Sequence, residues 1–114
     1  MLDDQDKGPR FVRACERSKL REGAGRPVIL GLTRVALFLI RGEVFALRNA
    51  CPHAGASLGM GEVQGMVVAC PRHDWRFNLK TGACLTNKMY CAKTYPVELR
   101  GDEVWVGLPA EQEP

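Results

Sequence analysis

Two short segments, Cys51-Pro52-His53 and Cys70-Pro71-Arg72-His73, decide how this chain must fold, because each supplies one cysteine and one histidine. Thiolates and imidazoles are the donors of soft-metal centres. A structural zinc finger usually takes both cysteines from one segment and both histidines from another. Mixed donors in each segment suit two unlike irons, one held by sulfur and one by nitrogen. The sequence therefore predicts two loops that face each other across a metal site.

The four donors resemble the signature of the Rieske 2Fe-2S family, C-x-H-x(15–17)-C-x-x-H, with sixteen residues between His53 and Cys70. The resemblance implies that Cys51 and Cys70 hold the buried iron, and that His53 and His73 hold the outer iron near the surface. It also implies two bridging sulfides and one cluster per chain. The alternative for the same residues is a mononuclear zinc site.

The residues around the donors support tight loops. Pro52 and Pro71 each follow a cysteine directly, and proline stiffens a turn by presetting φ. After His53, the run 54–61 consists mostly of small residues, including three glycines that permit positive φ. Such a run allows the backbone to approach a cluster closely.

Length and composition limit what else the chain can do. With 114 residues and 46% apolar content, residues 1–114 fit a single domain. The longest apolar run, Val35 to Ile40, is far shorter than the roughly twenty residues that span a bilayer. The acidic start, Met1 to Asp6, does not resemble an export signal. We expect a cytoplasmic protein without a membrane anchor.

The charge of the chain is modest, with a net value of +3 and basic residues spread between Lys7 and Arg100. This distribution does not predict a nucleic-acid surface. The most basic stretch, Arg10 to Arg26, is interpreted as a solvated face or as a surface that docks an acidic redox partner.

Three cysteines, Cys15, Cys84 and Cys91, are left after the ligands are assigned. An odd remainder predicts reduced, mostly buried thiols rather than a disulfide framework. High-potential Rieske proteins tie their ligand loops together with a disulfide. Arg72 occupies one of the positions required, so we expect that bond to be absent here.

Short apolar runs separated by turn residues predict an all-β fold. Two-residue turns are expected at Arg41-Gly42 and Gly101-Asp102, and another turn at Lys80-Thr81-Gly82. The predicted strands are Phe11 to Cys15, Val28 to Gly31, Ala36 to Ile40, Glu43 to Arg48, Met66 to Ala69, Trp75 to Leu79, Thr94 to Arg100 and Glu103 to Val106.

The Rieske resemblance implies a more specific fold, with three stacked antiparallel sheets. The ligand hairpins would project from a small four-stranded cluster-binding subdomain at about residues 44–84. A single helical turn is expected at Ser57 to Met60, and the tail Ala110 to Pro114 is expected to fray.

The histidine count decides the type of function. The chain has two histidines, His53 and His73, and both are assigned to the cluster. An oxygenase of the Rieske class needs a further iron held by two more histidines and a carboxylate. No G-x-G-x-x-G motif supports a dinucleotide site. We therefore expect an electron-transfer component that is not catalytic alone.

The residues after the second ligand pair predict a low reduction potential. High-potential relatives carry Ser and Tyr where this chain has Trp75 and Phe77, and those hydroxyls donate hydrogen bonds that favour the reduced cluster. Both aromatic residues could equally be core residues of a strand. An apolar rim for partner docking is expected from Pro52, Ala54, Leu58, Met60 and Pro71, with Arg72 nearby.

Two biological roles fit the resemblance. One is a ferredoxin that passes electrons from a flavin reductase to the terminal oxygenase of a ring-hydroxylating dioxygenase. The other is the small Rieske subunit that accompanies the large subunit of an assimilatory NAD(P)H nitrite reductase. A third interpretation, from another class, is a zinc-stabilised binding domain.

Overall fold

The computed structural model describes residues 10–52, 55–72 and 74–109, which form ten strands and two single turns of 3-10 helix. The turns are Arg17–Lys19 and Leu58–Met60, and the second confirms the helical turn predicted there. The strands are β1 Arg10–Glu16, β2 Ala24–Leu30, β3 Thr33–Ile40, β4 Glu43–Arg48, β5 Glu62–Gln64, β6 Val67–Ala69, β7 Arg76–Asn78, β8 Thr94–Tyr95, β9 Val97–Arg100 and β10 Glu103–Leu108.

The strands form three antiparallel sheets, which confirms the predicted fold class. The first sheet has the order β9-β10-β1, the second β2-β3-β4-β8, and the third β5-β6-β7. In the described residues the third sheet has three strands, β5, β6 and β7, and β4 pairs within the second sheet. The range 44–84 for a cluster-binding subdomain stays a prediction.

The second sheet separates two hydrophobic cores, and β3 serves both. Ala36, Phe38 and Ile40 belong to the core that the third sheet shares, whereas the alternate residues Val35 and Leu37 belong to the core with β10. Side chains of a strand alternate between its faces, so an uninterrupted apolar strand is expected where both faces are covered. The sheets are therefore stacked with the second in the middle.

The hairpin turns follow the residues that favour them. Arg41 and Gly42 connect β3 to β4 with φ values of 52° and 79°, as a type I′ turn requires. Gly101 has a φ of 60° in the turn between β9 and β10. Both predicted two-residue turns are confirmed.

One predicted strand needs correction, and one strand was not predicted. The predicted strand Thr94 to Arg100 is broken at Pro96, and its halves β8 and β9 pair in different sheets. Proline has no N–H to donate to a ladder, so it marks the point where the chain changes sheet. The sequence interpretation missed β5, Glu62–Gln64, which has one apolar residue in three and hence no readable alternation.

The chain termini cannot be compared with their predictions. Met1 to Asp6 and Ala110 to Pro114 lie outside the described residues. Within the described ranges, no helix combines the length and apolar character needed to cross a membrane.

Candidate metal centre

The first cysteine loop is closed by two backbone hydrogen bonds around Cys51. The Cys51 N–H donates to the carbonyl oxygen of Ala56 at 2.9 Å, and the Gly55 N–H donates to the carbonyl oxygen of Cys51 at 2.7 Å. Gly55 has a φ of 72°, in the left-handed region that glycine enters without strain. The chain is therefore folded back within five residues of the cysteine.

The second cysteine loop repeats this pattern at the same offsets. The Cys70 N–H donates to the carbonyl oxygen of Trp75 at 2.6 Å, and the Asp74 N–H donates to that of Cys70 at 2.8 Å. Asp74 occupies the position of Gly55 and has a φ of 57°. Aspartate is one of the few residues besides glycine that tolerate this region, which explains how Asp74 can take the place that glycine has in the first loop. The two loops are thus equivalent backbone turns that each begin at a cysteine.

Both cysteines are buried in the same core. Cys51 is 2% exposed and Cys70 is 1% exposed, and they share one hydrophobic cluster with Leu58, Val68 and Phe77. The structure therefore places the two predicted sulfur ligands in the same core. The predicted histidine ligands, His53 and His73, lie outside the described residues.

The chemistry of this donor set fits a 2Fe-2S cluster. A thiolate in an apolar core is unfavourable unless a cation compensates its charge, and a metal that binds a thiol deprotonates it. Two buried cysteines at equivalent positions of matched loops supply such sulfur donors. The sequence adds one histidine to each loop, which completes a mixed sulfur and nitrogen set.

Asn49 fastens the first loop to the rest of the fold, and the sequence interpretation missed it. It is 7% exposed, and its Oδ1 accepts hydrogen bonds from the Gly59 N–H at 2.8 Å and from the Ser57 hydroxyl at 3.1 Å. Its backbone carbonyl also accepts from the Leu58 N–H at 2.7 Å. The only sequence signal was a polar residue next to Ala50-Cys51 at the end of a strand.

Asn49→Ala is expected to lower the free energy of unfolding by about 1–3 kcal/mol, because a buried backbone N–H loses its acceptor. Urea denaturation measures this loss. Asn87→Ala is the matched control, since the Oδ1 of the half-buried Asn87 accepts a local bond from the Met89 N–H at 2.9 Å and no other bond from the described residues. An equal or smaller loss for Asn49→Ala than for Asn87→Ala would show that Asn49 does not hold the loop.

The expected apolar rim is only partly correct. Met60 is 70% exposed, and Pro52, Pro71 and Arg72 are also exposed. Leu58, by contrast, is fully buried in the core, because the 3-10 turn directs it inward. Leu58 is therefore a packing residue and not a docking residue. Ala54 lies outside the described residues.

The aromatic residues after the second loop are packed against the core. Phe77 is fully buried, and Trp75 is partly buried against the same cluster. The Trp75 ring also meets Tyr90 edge to face, with ring centroids 5.1 Å apart. The interpretation of both residues as core residues is confirmed.

The three remaining cysteines differ in their environments. Cys84 is buried in the core with the two candidate ligands, as expected. Cys15 is only partly buried, and burial raises the pKa of its thiol. Cys91 is exposed, which the expectation of mostly buried thiols did not foresee.

The family follows from the loops, the sheets and a direct comparison with known proteins. Residues 10–107 match the family model of the Rieske-like 2Fe-2S domain. This chain belongs to that family, whose cofactor is a Rieske 2Fe-2S cluster.

Individual relatives make the class more specific. The chain is 36% identical over 106 residues to the 3-phenylpropionate/cinnamic acid dioxygenase ferredoxin subunit of Shigella flexneri, covering 89% of this chain and 96% of that protein. It is similar to a chain in the solved complex of oxygenase and ferredoxin from carbazole 1,9a-dioxygenase, with 28% identity, a TM-score of 0.78, and coverage of 85% and 92%.

A second type of relative also shares the fold. The structure of a protein assigned as the small subunit of an NADH-dependent nitrite reductase from Mycobacterium tuberculosis is 28% identical, with a TM-score of 0.83. The similarity covers 92% of this chain and 99% of that one. Both predicted roles are therefore represented among the relatives.

Proposed function

We propose that this protein is a Rieske ferredoxin that carries single electrons to the terminal oxygenase of a ring-hydroxylating dioxygenase, and that a flavin reductase supplies them. The observation that carries this proposal is the pair of equivalent loops that bury Cys51 and Cys70 in one core. The named function of the 36% identical relative supports the dioxygenase system, and the carbazole dioxygenase complex supports an oxygenase as partner. A cytoplasmic location remains a prediction from the sequence.

We assign the cluster ligands from the motif and the loops together. Cys51 and Cys70 would hold the inner iron, because both side chains are buried. His53 and His73 would hold the outer iron, since they follow these cysteines by two and three residues in the sequence. When bound, a Rieske cluster supplies a one-electron couple.

The residues of the chain have separate tasks at this centre. The apolar core around Cys51 and Cys70 excludes water from the sulfur ligands. The backbone bonds to Ala56 and Trp75 fix the direction in which each loop leaves its cysteine. A fixed loop needs little rearrangement when the charge of the centre changes by one unit, which suits rapid electron transfer.

A direct test is reduction by the NADH-dependent reductase of a 3-phenylpropionate dioxygenase system, followed by reoxidation with its oxygenase. We expect the protein to take up one electron per chain and to release it when the oxygenase is added. If the protein takes up an electron from neither the reductase nor dithionite, the carrier function is overturned.

The small subunit of a nitrite reductase is the second candidate, because the fold is shared with the mycobacterial protein at a TM-score of 0.83. The same assay separates the two candidates when the oxygenase is replaced by the large subunit of a nitrite reductase. Nitrite reduction that depends on this chain, without electron transfer to the oxygenase, would favour the second role.

We expect a reduction potential below about +150 mV, toward the lower part of the Rieske range. Phe77 is fully buried in the same core as Cys51 and Cys70 but has no hydroxyl to donate. Phe77→Tyr is therefore expected to raise the midpoint by roughly 60 mV, the equivalent of one hydrogen bond of about 1.4 kcal/mol. Voltammetry measures both values.

The matched control for this shift is Phe45→Tyr, which adds a hydroxyl at a partly buried residue packed against the same core. Its midpoint should stay near that of the unmodified protein, because Phe45 lies in β4 of the second sheet, whereas Phe77 lies in β7, which directly follows the second cysteine loop. A wild-type midpoint above about +150 mV, or equal shifts in both variants, would contradict the assignment.

A further inference from the structure

A groove beside the first cysteine loop carries two cationic side chains that the proposed electron-carrier function leaves unassigned. Its volume is about 350 Å³, and it is formed by the segments 48–52 and 91–93. The two segments lie side by side, because the Arg48 N–H donates to the carbonyl oxygen of Lys93 at 2.8 Å. Arg48 and Lys93 both line the groove and are both exposed.

Among the described residues, no neighbouring carboxylate neutralises the positive charge of this groove. No acidic residue among those described lines it, and neither Arg48 nor Lys93 forms an ion pair within the described ranges. Other surface arginines do have such partners, as Arg13 does with Glu103 at 2.8 Å. Exposed cations with low-dielectric walls around them create a local positive potential.

The groove also reaches the candidate metal centre. Cys51, which is 2% exposed, contributes to its lining together with Pro52. On the proposed function, Cys51 is an iron ligand. A group seated in the groove would therefore be adjacent to the first cysteine loop.

We infer that this groove docks a redox partner that presents carboxylate side chains beside its own electron-accepting group. Guanidinium and ammonium groups form charge-assisted hydrogen bonds with carboxylates, and Arg48 and Lys93, which both line the groove, would supply one donor of each kind. Opposite charges raise the association rate and fix the orientation of the encounter. The inference rests on the proposed function, because it gives the cysteine loop an electron to pass.

An acidic plastocyanin and a basic cytochrome c serve as protein oxidants of opposite charge. One electron leaves the reduced protein and converts Cu(II) to Cu(I) or haem Fe(III) to Fe(II). In the double variant Arg48→Glu and Lys93→Glu, we expect the rate with plastocyanin to fall about tenfold at about 10 mM ionic strength. The rate with cytochrome c should not fall. The influence of the two substitutions on either rate should fade in high salt.

The matched control is the double variant Lys19→Glu and Arg21→Glu, which changes the net charge equally. These exposed residues lie near the Arg41-Gly42 turn, because both ends of their segment contact Gly42. The Arg17 guanidinium donates to the Gly42 carbonyl oxygen at 2.9 Å, and the Glu22 carboxylate accepts from the Gly42 N–H at 3.2 Å. That turn is at the opposite end of β4 from Arg48, about 17 Å away for a strand of this length. Equal loss of the plastocyanin rate in both double variants would overturn the inference.

The exposed thiol of Cys91 gives a readout that does not depend on electron transfer. Cys91 lines the groove, so its reaction with the dianionic Ellman reagent, relative to neutral 4,4′-dithiodipyridine, reports the local potential. Mass spectrometry confirms the modified site. We expect the ratio to fall severalfold in the Arg48 and Lys93 variant only.

These outcomes separate the two proposals. A normal cluster spectrum with an unchanged reagent ratio and unchanged plastocyanin rate overturns the docking groove and leaves the electron carrier standing. A protein that takes up no electron, while the reagent ratio still falls, overturns the electron carrier and keeps the positive groove as an anion-attracting surface.

Discussion

Cys51→Ala and Cys70→Ala are each expected to abolish the visible absorbance and to remove the bound iron and sulfide. On the proposed assignment, each substitution deletes one of the two sulfur ligands of the inner iron, and alanine supplies no donor in its place. The loss should be essentially complete, because a bridged cluster cannot keep one iron without the other. Iron and acid-labile sulfide analysis of the purified variants measures it.

Cys84→Ala is the matched control for these substitutions. Cys84 is 3% exposed and belongs to the same core as Cys51 and Cys70, so its removal perturbs packing to a similar degree. It lies outside the ligand motif, however, and should retain the cluster. Loss of iron in Cys84→Ala together with retention in Cys51→Ala would refute the ligand assignment.

Gly82→Ala is expected to cost roughly 3 kcal/mol or more of the free energy of unfolding. Gly82 has a φ of 78°, and a Cβ built on it would lie 2.0 Å from the carbonyl oxygen of Ala92. The Ala92 N–H also donates to the carbonyl oxygen of Gly82 at 2.7 Å. A methyl group therefore adds backbone strain and separates two segments that are hydrogen-bonded. Urea denaturation measures the loss.

Gly65→Ala isolates the contribution of backbone strain. Gly65 has a similar φ of 59°, but a Cβ there would meet nothing within 4 Å. We expect a loss of about 1–2 kcal/mol, due to the left-handed conformation alone. A loss for Gly82→Ala no larger than that for Gly65→Ala would mean that the contact with Ala92 does not constrain the fold.

Gly82 also helps to position one wall of the groove formed by the segments 48–52 and 91–93. Gly82 ends the predicted Lys80-Thr81-Gly82 turn, in which the Asn78 Oδ1 accepts from the N–H groups of Lys80 and Thr81 at 2.8 Å and 3.0 Å. Its contact with Ala92 places the segment 91–93 against this turn. The groove wall that carries Lys93 is thus positioned by the turn that follows the third sheet.

The sequence was sufficient for the fold class because the strands alternate or are buried on both faces. The predicted strand Glu43 to Arg48 has the same bounds in the structure. The predicted strand Val28 to Gly31 begins four residues earlier, at Ala24. That extension depends on tertiary contact, since a Cβ on Gly25 would lie 2.7 Å from both the Gly59 carbonyl oxygen and the Phe38 ring. No local pattern reveals such a contact.

The candidate site, like the fold, could be predicted only in part from the sequence. The spacing of Cys51 and Cys70 was enough to select them as ligands, and their joint burial agrees with that role. The function of Asn49 could not be predicted, because its partners Ser57 and Gly59 reach it only after the loop has folded back. Leu58 was misassigned to the surface for the same reason, since its direction is set by the 3-10 turn.

The most direct test of the central claim is electron-nuclear double resonance of the reduced protein labelled with 15N-histidine, combined with metal analysis. Because this chain contains only His53 and His73, every labelled nitrogen can be assigned. The account predicts two irons and two acid-labile sulfides per chain, with two histidine nitrogens coupled to the paramagnetic centre. A single metal ion per chain, or a centre without coupled histidine nitrogen, would contradict it.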